Sequence, residues 1–370
     1  MHRQCAALRD DERGAAGIFV VLGMGVILGS AALAIDMGHM MNARTESQRV
    51  ADLAALAGAA AFIDAPGNPA QTARAWAMQY AAANTVDRAP VSLAAEDIAV
   101  DLANERVRVT VRNTAVRGNA IETVFGRALG IDRVDIVTTA VAEASAATAV
   151  NCALPLMLPD RWTERGGDPL RYDPGVDYYE AWNPDGSANA TFTGYSVASV
   201  GDAVAIKANT GPGYAARGEY YPVGAGDLTG GSGYGDHISL CPDEARTFTL
   251  DDLISTDANG MVGPTRQGFQ DLIDLDRSAL WDPAQQCVVD VLGGPCRGSP
   301  RIRPIALFDP TDAMNPGVSP ARIKNFAGVF VDRIQGNQVL LILAGYSGVQ
   351  PAGVGGQTMP TLFKVLRLVE

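Results

Sequence analysis

Histidine-based chemistry has little support in this sequence, which contains three histidines. His2 lies near the amino terminus, His39 follows a long apolar run, and His237 stands alone in Gly235-Asp236-His237. A zinc site of the H-E-x-x-H type needs two histidines four positions apart, and the common serine hydrolases need a G-x-S-x-G elbow. The sequence contains neither motif. We therefore predict a protein that is not an enzyme and has no catalytic residue, cofactor or metal ligand.

Carboxylates in loops are the remaining residues that could bind a ligand. Oxygen ligands in a flexible loop suit Ca²⁺. Two loops rich in Gly and Pro contain such residues: Asp173, Asp177, Glu180 and Asp185 in one, and Asp257, Asn259 and Gly260 in the other. Neither loop has the D-x-[DN]-x-[DN]-G spacing of a calcium loop. Calcium binding is therefore kept as an alternative.

The cysteines predict two disulfides. Cys5 precedes the apolar run, and four cysteines follow it, at Cys152, Cys241, Cys287 and Cys296. Four cysteines allow three pairings. The Gly-Gly-Pro between the last two can turn the chain, which favours Cys287–Cys296 and leaves Cys152–Cys241. An even number beyond a membrane suits an oxidising compartment, and a single thiol before it suits a reducing one.

The apolar run predicts a membrane anchor. Residues 17–35 contain no charged side chain, and 19 helical residues span about 28 Å, close to a bilayer core of about 30 Å. A cleaved signal peptide is less consistent with the run, because the helical pattern continues to residue 62. Gly25 and Gly29 form a GxxxG pair, which lets two helices pack closely and could support a homo-oligomer.

The orientation of the anchor rests on its flanking arginines. Arg3, Arg9 and Arg13 precede the span, whereas Arg44 and Arg49 follow it. Positive residues favour the cytoplasmic side. Together with the cysteine distribution, this predicts a single-pass protein of the inner (plasma) membrane, with residues 1–16 in the cytoplasm and the carboxy-terminal domain in the periplasm.

Composition separates two further regions. Alanine accounts for 37 of the first 150 residues but 21 of the last 220, while proline rises from 3 to 18. Alanine favours helices, and proline and glycine favour turns. We predict an α+β protein with a helical and α/β module at 36–150 and a β-rich exported domain at 151–370. The net charge of −12 argues against nucleic-acid partners, which need a basic surface.

Periodicity places the elements. We predict helices at 36–62, 69–84, 121–129 and 265–274, the last capped by Thr265. Alternating apolar residues predict a hairpin at 98–102 and 107–111. Further strands are predicted at 134–142, 203–207, 301–308, 329–334, 339–344 and 362–369. Gln335-Gly336-Asn337 predicts a turn that pairs the strands on either side of it.

A segment around the span resembles a known family. Arg13-Gly14 precedes the apolar run, Ala34-Ile35-Asp36-Met37-Gly38 follows it, and residues 48–59 read QRVADLAALAGA. This pattern is similar to the amino-terminal region of TadG-like proteins, in the TadE/TadG group of tight-adherence (Flp) pilus assembly proteins. The motif positions are Asp36, Gly38, Gln48, Asp52, Ala54, Ala55, Leu56 and Ala57. Ser47 and Leu53 depart from the pattern, where the family usually carries Leu and Ala.

The resemblance implies a role in building a surface fibre for cell adhesion. The implied partners are other membrane proteins of pilus assembly or pseudopilins, reached by protein contacts. One alternative is a processed minor pseudopilin, although no Glu lies five residues after Gly14 or Gly17. A second is a membrane-anchored periplasmic or surface module that binds calcium or a glycan.

Overall fold

A computed structural model describes the protein over residues 13–181, 191–209, 211–224, 226, 228, 233–241, 246–348 and 362–369, with side chains described from residue 17. Its longest element is helix α1, Arg13–Asp64, which has 52 residues without a break. The absence of proline from this stretch and its many alanines favour so long a helix. The predicted span and the predicted pilin-like helix are thus one element.

The remaining elements follow in chain order. The other α-helices are α2 Pro69–Ala82, α3 Tyr234–Ser239 and α4 Val262–Asp274, and the short 3₁₀ turns are η1 Ala95–Asp97, η2 Ala115–Arg117, η3 Gly126–Leu129 and η4 Val197–Ser199. The strands in the first half are β1 Thr85–Val86, β2 Ala89–Pro90, β3 Ile98–Asp101, β4 Arg106–Asn113, β5 Ile121–Glu122, β6 Arg133–Val134, β7 Ile136–Ala146, β8 Ala149–Val150 and β9 Leu156–Pro159. Those in the second half are β10 Ala203–Ala208, β11 Glu219–Pro222, β12 Phe248–Thr249, β13 Leu253–Ile254, β14 Ala279–Asp282, β15 Cys287–Asp290, β16 Ile302–Phe308, β17 Ala321–Gln335, β18 Gln338–Ala344, β19 Tyr346–Ser347 and β20 Phe363–Leu368.

The chain divides into two compact units whose boundaries cut through several elements. The first contains the residues up to Ala54, Met78–Ile98 and Arg108–Ala140. The second contains Ala55–Ala77, Ala99–Val107 and the residues from Val141 onward.

The first unit places the middle of α1 against strand residues. Small residues recur on one face of the helix and are buried, including Ala43, Ser47, Ala51 and Ala54. Strands β7 and β4 are neighbours in a five-stranded sheet of order β19-β20-β7-β4-β3. Small helix residues let the helix axis approach a sheet closely, so the alanine-rich composition is suited to this packing.

The second unit contains a closed ring of six strands. The order β17-β16-β9-β11-β10-β18 is completed by pairing of β18 with β17, and β13 pairs with β17 outside the ring. Neighbours β16 and β9 are parallel, as are β10 and β11, while the other pairs of the ring are antiparallel. Closure leaves no free strand edge in the ring, which makes it a stable platform.

Alternation along the ring strands separates an inner from an outer layer. Leu156, Ile206, Ile305 and Leu341 belong to one buried cluster, together with Phe269 of α4. Their sequence neighbours Met157 and Ala306 belong to a second cluster. Because successive side chains of a strand point to opposite faces, both faces of this sheet are covered.

Most predicted elements are confirmed. Helix α2, the strand pair β3 and β4, and strands β10, β16, β18 and β20 lie where the pattern predicts them. The predicted turn joins β17 to β18, with Gly336 at φ +62°. Strand β17 begins at Ala321, earlier than predicted, and β7 extends to Ala146.

The helix predicted at 121–129 is wrong. That segment forms strand β5 and turn η3, and β5 pairs with β6. A Cβ on Gly126 would lie 2.9 Å from the carbonyl oxygen of Ile131, and Gly130 has φ +82°. These glycines therefore fit a tight reversal, while Ile121 and Thr123 have branched side chains that favour strands.

The cap predicted for the fourth helix is also wrong. Helix α4 begins three residues before Thr265, with Met261 at the N-cap position. Thr265 is buried, and its hydroxyl donates a hydrogen bond to the hydroxyl oxygen of Tyr234, 3.1 Å away. The threonine thus contributes to helix packing.

Candidate functional site

The apolar part of α1 is exposed in the described part of the chain. Its most apolar 18-residue window has a mean hydropathy of 2.5, and none of that window is buried. A soluble helix of this composition would be expected to lie in a core. Among the described residues it is the one helix long and apolar enough to cross a membrane. Cβ atoms added at Gly25 and Gly29 would meet nothing within 4 Å, so both glycines of the GxxxG pair lie on an open surface.

Asp36, the first residue after the span, makes a dense set of hydrogen bonds. Its carboxylate accepts the backbone amides of Val124 at 2.8 Å, Phe125 at 3.1 Å and Gly126 at 2.6 Å. The amides belong to the turn that leads into η3, about ninety positions later in the chain. A carboxylate that accepts several amides in this way fixes the turn to the helix, because charge-assisted hydrogen bonds are short and strong. Nothing in the sequence pattern indicated that the motif residue Asp36 binds this turn.

A second polar contact lies one to two turns before the alanine-rich part of α1. Ser47 Oγ lies 2.8 Å from Thr138 Oγ1 and accepts a hydrogen bond from Asn113 Nδ2 at 3.2 Å. Gln48 donates to Thr139 O at 3.2 Å and to Asp52 Oδ1 at 2.8 Å. Ser47 departs from the family pattern, and here its hydroxyl is a bonded part of a buried cluster. A leucine would leave Asn113 and Thr138 without this partner.

The alanine motif of α1 is buried in part. Ala54 and Ala55 are completely buried, whereas Leu56 and Ala57 are partly exposed. Earlier in the helix, a Cβ added at Gly38 would meet nothing within 4 Å. A Cβ at Gly58 would lie 2.9 Å from Val107 Cγ1 and 3.2 Å from the carbonyl oxygen of Ala73. A side chain at that point of the helix would therefore force these packed neighbours to shift.

The span, Asp36 and the buried Ala54 and Ala55 all lie within one stretch that matches a known family model. Residues 14–61 match the Tad family model, described as "Putative Flp pilus-assembly TadE/G-like". These residues are similar to that family, and they include all the motif residues predicted from the sequence. No curated protein and no solved structure matches the chain.

The four cysteines after the span form two disulfides, paired as predicted. Cys152 bonds to Cys241 with their Cα atoms 5.4 Å apart, and Cys287 bonds to Cys296 with theirs 5.7 Å apart. Next to the first disulfide, the buried guanidinium of Arg303 donates to the carbonyl oxygens of Cys152, His237 and Leu240. Arg303 of β16 therefore joins the end of α3 to the segment between β8 and β9.

The residues considered for calcium mostly have structural roles. Asp177 accepts the backbone amides of Arg165 and Asp173 at 3.1 and 2.9 Å, and Asp257 accepts the amide of Asn259 at 2.7 Å. Asp185 lies outside the described residues. Among those described, no group of three or more histidine, cysteine, aspartate or glutamate residues is placed to hold a metal ion.

A cavity of about 320 Å³ opens at one end of the six-stranded ring. It lies where β9 ends and β10 and β11 begin, and its wall includes Trp162, Tyr195 and the exposed Arg161 and Arg217. The guanidinium of Arg217 lies 4.7 Å from the centre of the Trp162 ring, and it donates to the carbonyl oxygen of Trp162. Mouths of barrels commonly bind small ligands. This cavity had no signal in the sequence, because its residues come from four separate segments.

Asp160 lies at the floor of this cavity and is completely buried. Its carboxylate accepts the amides of Arg161 and Tyr195, the Tyr179 hydroxyl and the Asn325 side chain. Burial raises the pKa of Asp160 to about 6, and these hydrogen bonds only partly oppose it. The carboxyl group therefore joins four segments of the second unit and changes charge near neutral pH.

Proposed function

We propose that this protein is a non-enzymatic, membrane-anchored component of tight-adherence (Flp) pilus assembly that acts through protein contacts. The observation that carries the proposal is the TadE/G-like match over residues 14–61. It coincides with a helix whose first part is apolar and exposed and whose second part is packed within folded units. A helix of this form can anchor a folded domain to a bilayer.

The proposed topology places the amino terminus in the cytoplasm and the second unit in the periplasm. Three arginines before the span against two after it favour this direction. Two disulfides in the second unit also favour an oxidising compartment. A phosphatase fused after Glu370 should be active in this topology, and an inactive fusion would reverse it.

The proposed packing surface of the span is the GxxxG pair. Without a Cβ, Gly25 and Gly29 let a second helix approach closely, and both are open in this chain. A Gly25→Ile/Gly29→Ile double variant should lose crosslinking to itself or to a partner span. Gly23→Ile is the matched control, since Gly23 is equally open but lies outside the pair. Equal crosslinking in both variants would contradict this surface.

The functional experiment is complementation of a deletion. Cells without this chain should lack surface fibres, and the wild-type gene should restore them. The Gly25→Ile/Gly29→Ile variant should restore few fibres although it reaches the membrane at the wild-type level. If the Gly25→Ile/Gly29→Ile variant fails to restore fibres while Gly23→Ile restores them normally, the defect lies in helix packing.

A second candidate function, a binding module for a glycan, is favoured by the cavity at the barrel mouth. The half-buried Tyr195 and the exposed Arg161 and Arg217 on its wall can donate hydrogen bonds to sugar hydroxyls. An Arg161→Ala or Arg217→Ala variant that loses fibres or adhesion while the chain stays folded would support it. Normal adhesion in both variants would leave the cavity without this role.

A further inference from the structure

Four large apolar side chains are exposed on one short hairpin of the first unit. Residues 121–134, the Asp36-bound hairpin, comprise β5, η3 and β6. Within it Val124 is 55% exposed, Phe125 45%, Leu129 81% and Ile131 53%. Monomeric proteins rarely leave so many large apolar side chains together in water, and such patches mark contact surfaces.

The position of the hairpin relative to the span identifies what covers it. Three consecutive amides of the hairpin are held by the carboxylate of Asp36, which directly follows the last residue of the apolar run. If residues 17–35 cross the hydrocarbon core of about 30 Å, Asp36 lies at its edge, where the headgroup region of several ångströms begins. The apolar residues next to these amides, Val124 and Phe125, are therefore held at the depth of the bilayer surface.

The internal bonding of the hairpin makes it a firm support for these side chains. Thr123 and Asp132 bond through their backbones at 3.0 Å, and the amide of Ile131 donates to Gly126 O at 3.0 Å. Arg127 and Arg133 both pair with Glu122. With Asp132 the hairpin carries two positive and two negative side chains. Its attraction to a bilayer would accordingly depend on apolar burial and very little on charge.

We propose that the Asp36-bound hairpin inserts its apolar side chains into the outer interface of the same bilayer that the span crosses. The occupant of this surface is therefore lipid. The span alone would leave the helix free to tilt and to slide in depth. A second point of insertion, fixed to the helix by Asp36, would fix both the tilt of the helix and its depth in the bilayer. This proposal depends on the span being in the membrane, but it is independent of a role in pilus assembly.

The test uses the full chain in phosphatidylcholine nanodiscs, with no other protein present. In a Cys5→Ser background, an environment-sensitive fluorophore is attached at Leu129→Cys. The matched control is Val318→Cys, whose parent side chain is 75% exposed in the second unit. We expect blue-shifted emission and strong quenching by spin-labelled lipids at 129, and water-like emission without quenching at 318. Water-like emission at both positions would overturn the proposal and favour a protein partner for the hairpin.

Two further variants test the reasoning behind it. Asp36→Asn should reduce the quenching at 129 by about half or more, since the carboxylate that binds the three amides is lost. Asp52→Asn on the same helix should leave it unchanged. Quenching should also be equal in zwitterionic and anionic lipid, and quenching restricted to anionic lipid would overturn the apolar basis of insertion.

Discussion

Asp160 should make the stability of the second unit fall as pH rises through about 6. The change that isolates this effect is Asp160→Asn, which keeps the size of the side chain and removes its titration. In the folded chain burial holds the pKa of Asp160 at about 6, against an ordinary value of 3.8. Between those two values the folded state binds more proton than the unfolded state.

The difference between the two pKa values sets the sign and the size of the change in stability with pH. Because the pKa is raised, protonation stabilises the folded state, so the wild-type free energy of unfolding should gain as pH falls from 7 to 4. The gain from this one group is roughly 2–3 kcal/mol. Other carboxyl groups titrate in the same range, so the quantity to compare is the difference between wild type and Asp160→Asn at each pH. On acidification from pH 7 to 4, the free energy of unfolding of wild type minus that of Asp160→Asn should increase by roughly 2–3 kcal/mol.

The assay is urea unfolding of the full chain in detergent at several pH values, with the disulfides intact. Asp276→Asn is the control with the opposite sign. The Arg297 side chain, with help from Ser299 and Ser278, lowers the pKa of Asp276 to about 2, even though partial burial opposes this. Wild type should therefore exceed Asp276→Asn in stability at pH 7, and lose this advantage in strong acid. A flat difference between wild type and Asp160→Asn from pH 4 to 7 would refute the reasoning about burial.

Two other predictions concern the helix and the disulfides. Gly58→Ala should destabilise the chain by about 1–3 kcal/mol, because a methyl group there meets packed atoms, whereas Gly38→Ala should stabilise it by about 0.5–1 kcal/mol. Thermal unfolding of the two variants checks both signs, and destabilisation by both would contradict the assigned packing. Loss of Cys152–Cys241, 89 positions apart, should cost about 4–5 kcal/mol, against about 2–3 kcal/mol for Cys287–Cys296, 9 positions apart. Paired Cys→Ser variants compared in denaturant test that order, and the reverse order would contradict it.

The sequence predicted the elements whose signal is local. The uncharged run, the alanine-rich continuation and the absence of proline were enough to define α1. Alternation was enough for β4, and Gln335-Gly336-Asn337 was enough for the turn between β17 and β18. The same local reasoning failed at 121–129, where Asp36, distant in sequence, binds the amides of a turn. No periodicity in a nine-residue window could reveal that contact.

Closure of the ring and the cavity at its mouth also lay beyond the sequence. The pairing of β9 with β16 joins residues about 150 positions apart and runs parallel, so no turn motif indicates it. Asp160 resembled any other loop aspartate, and its burial depends on Tyr195 and Asn325 from other segments. The predicted boundary near residue 150 remains a prediction based on composition.

Deletion of this chain followed by electron microscopy of surface fibres tests the proposed role in pilus assembly. Fibres should be lost, and the wild-type gene should restore them. A chain with Leu22→Asp, Val26→Asp and Leu33→Asp in the span should not restore them, because charges at these exposed apolar positions prevent membrane insertion. Normal fibres in cells without the chain would contradict a role in Flp pilus assembly.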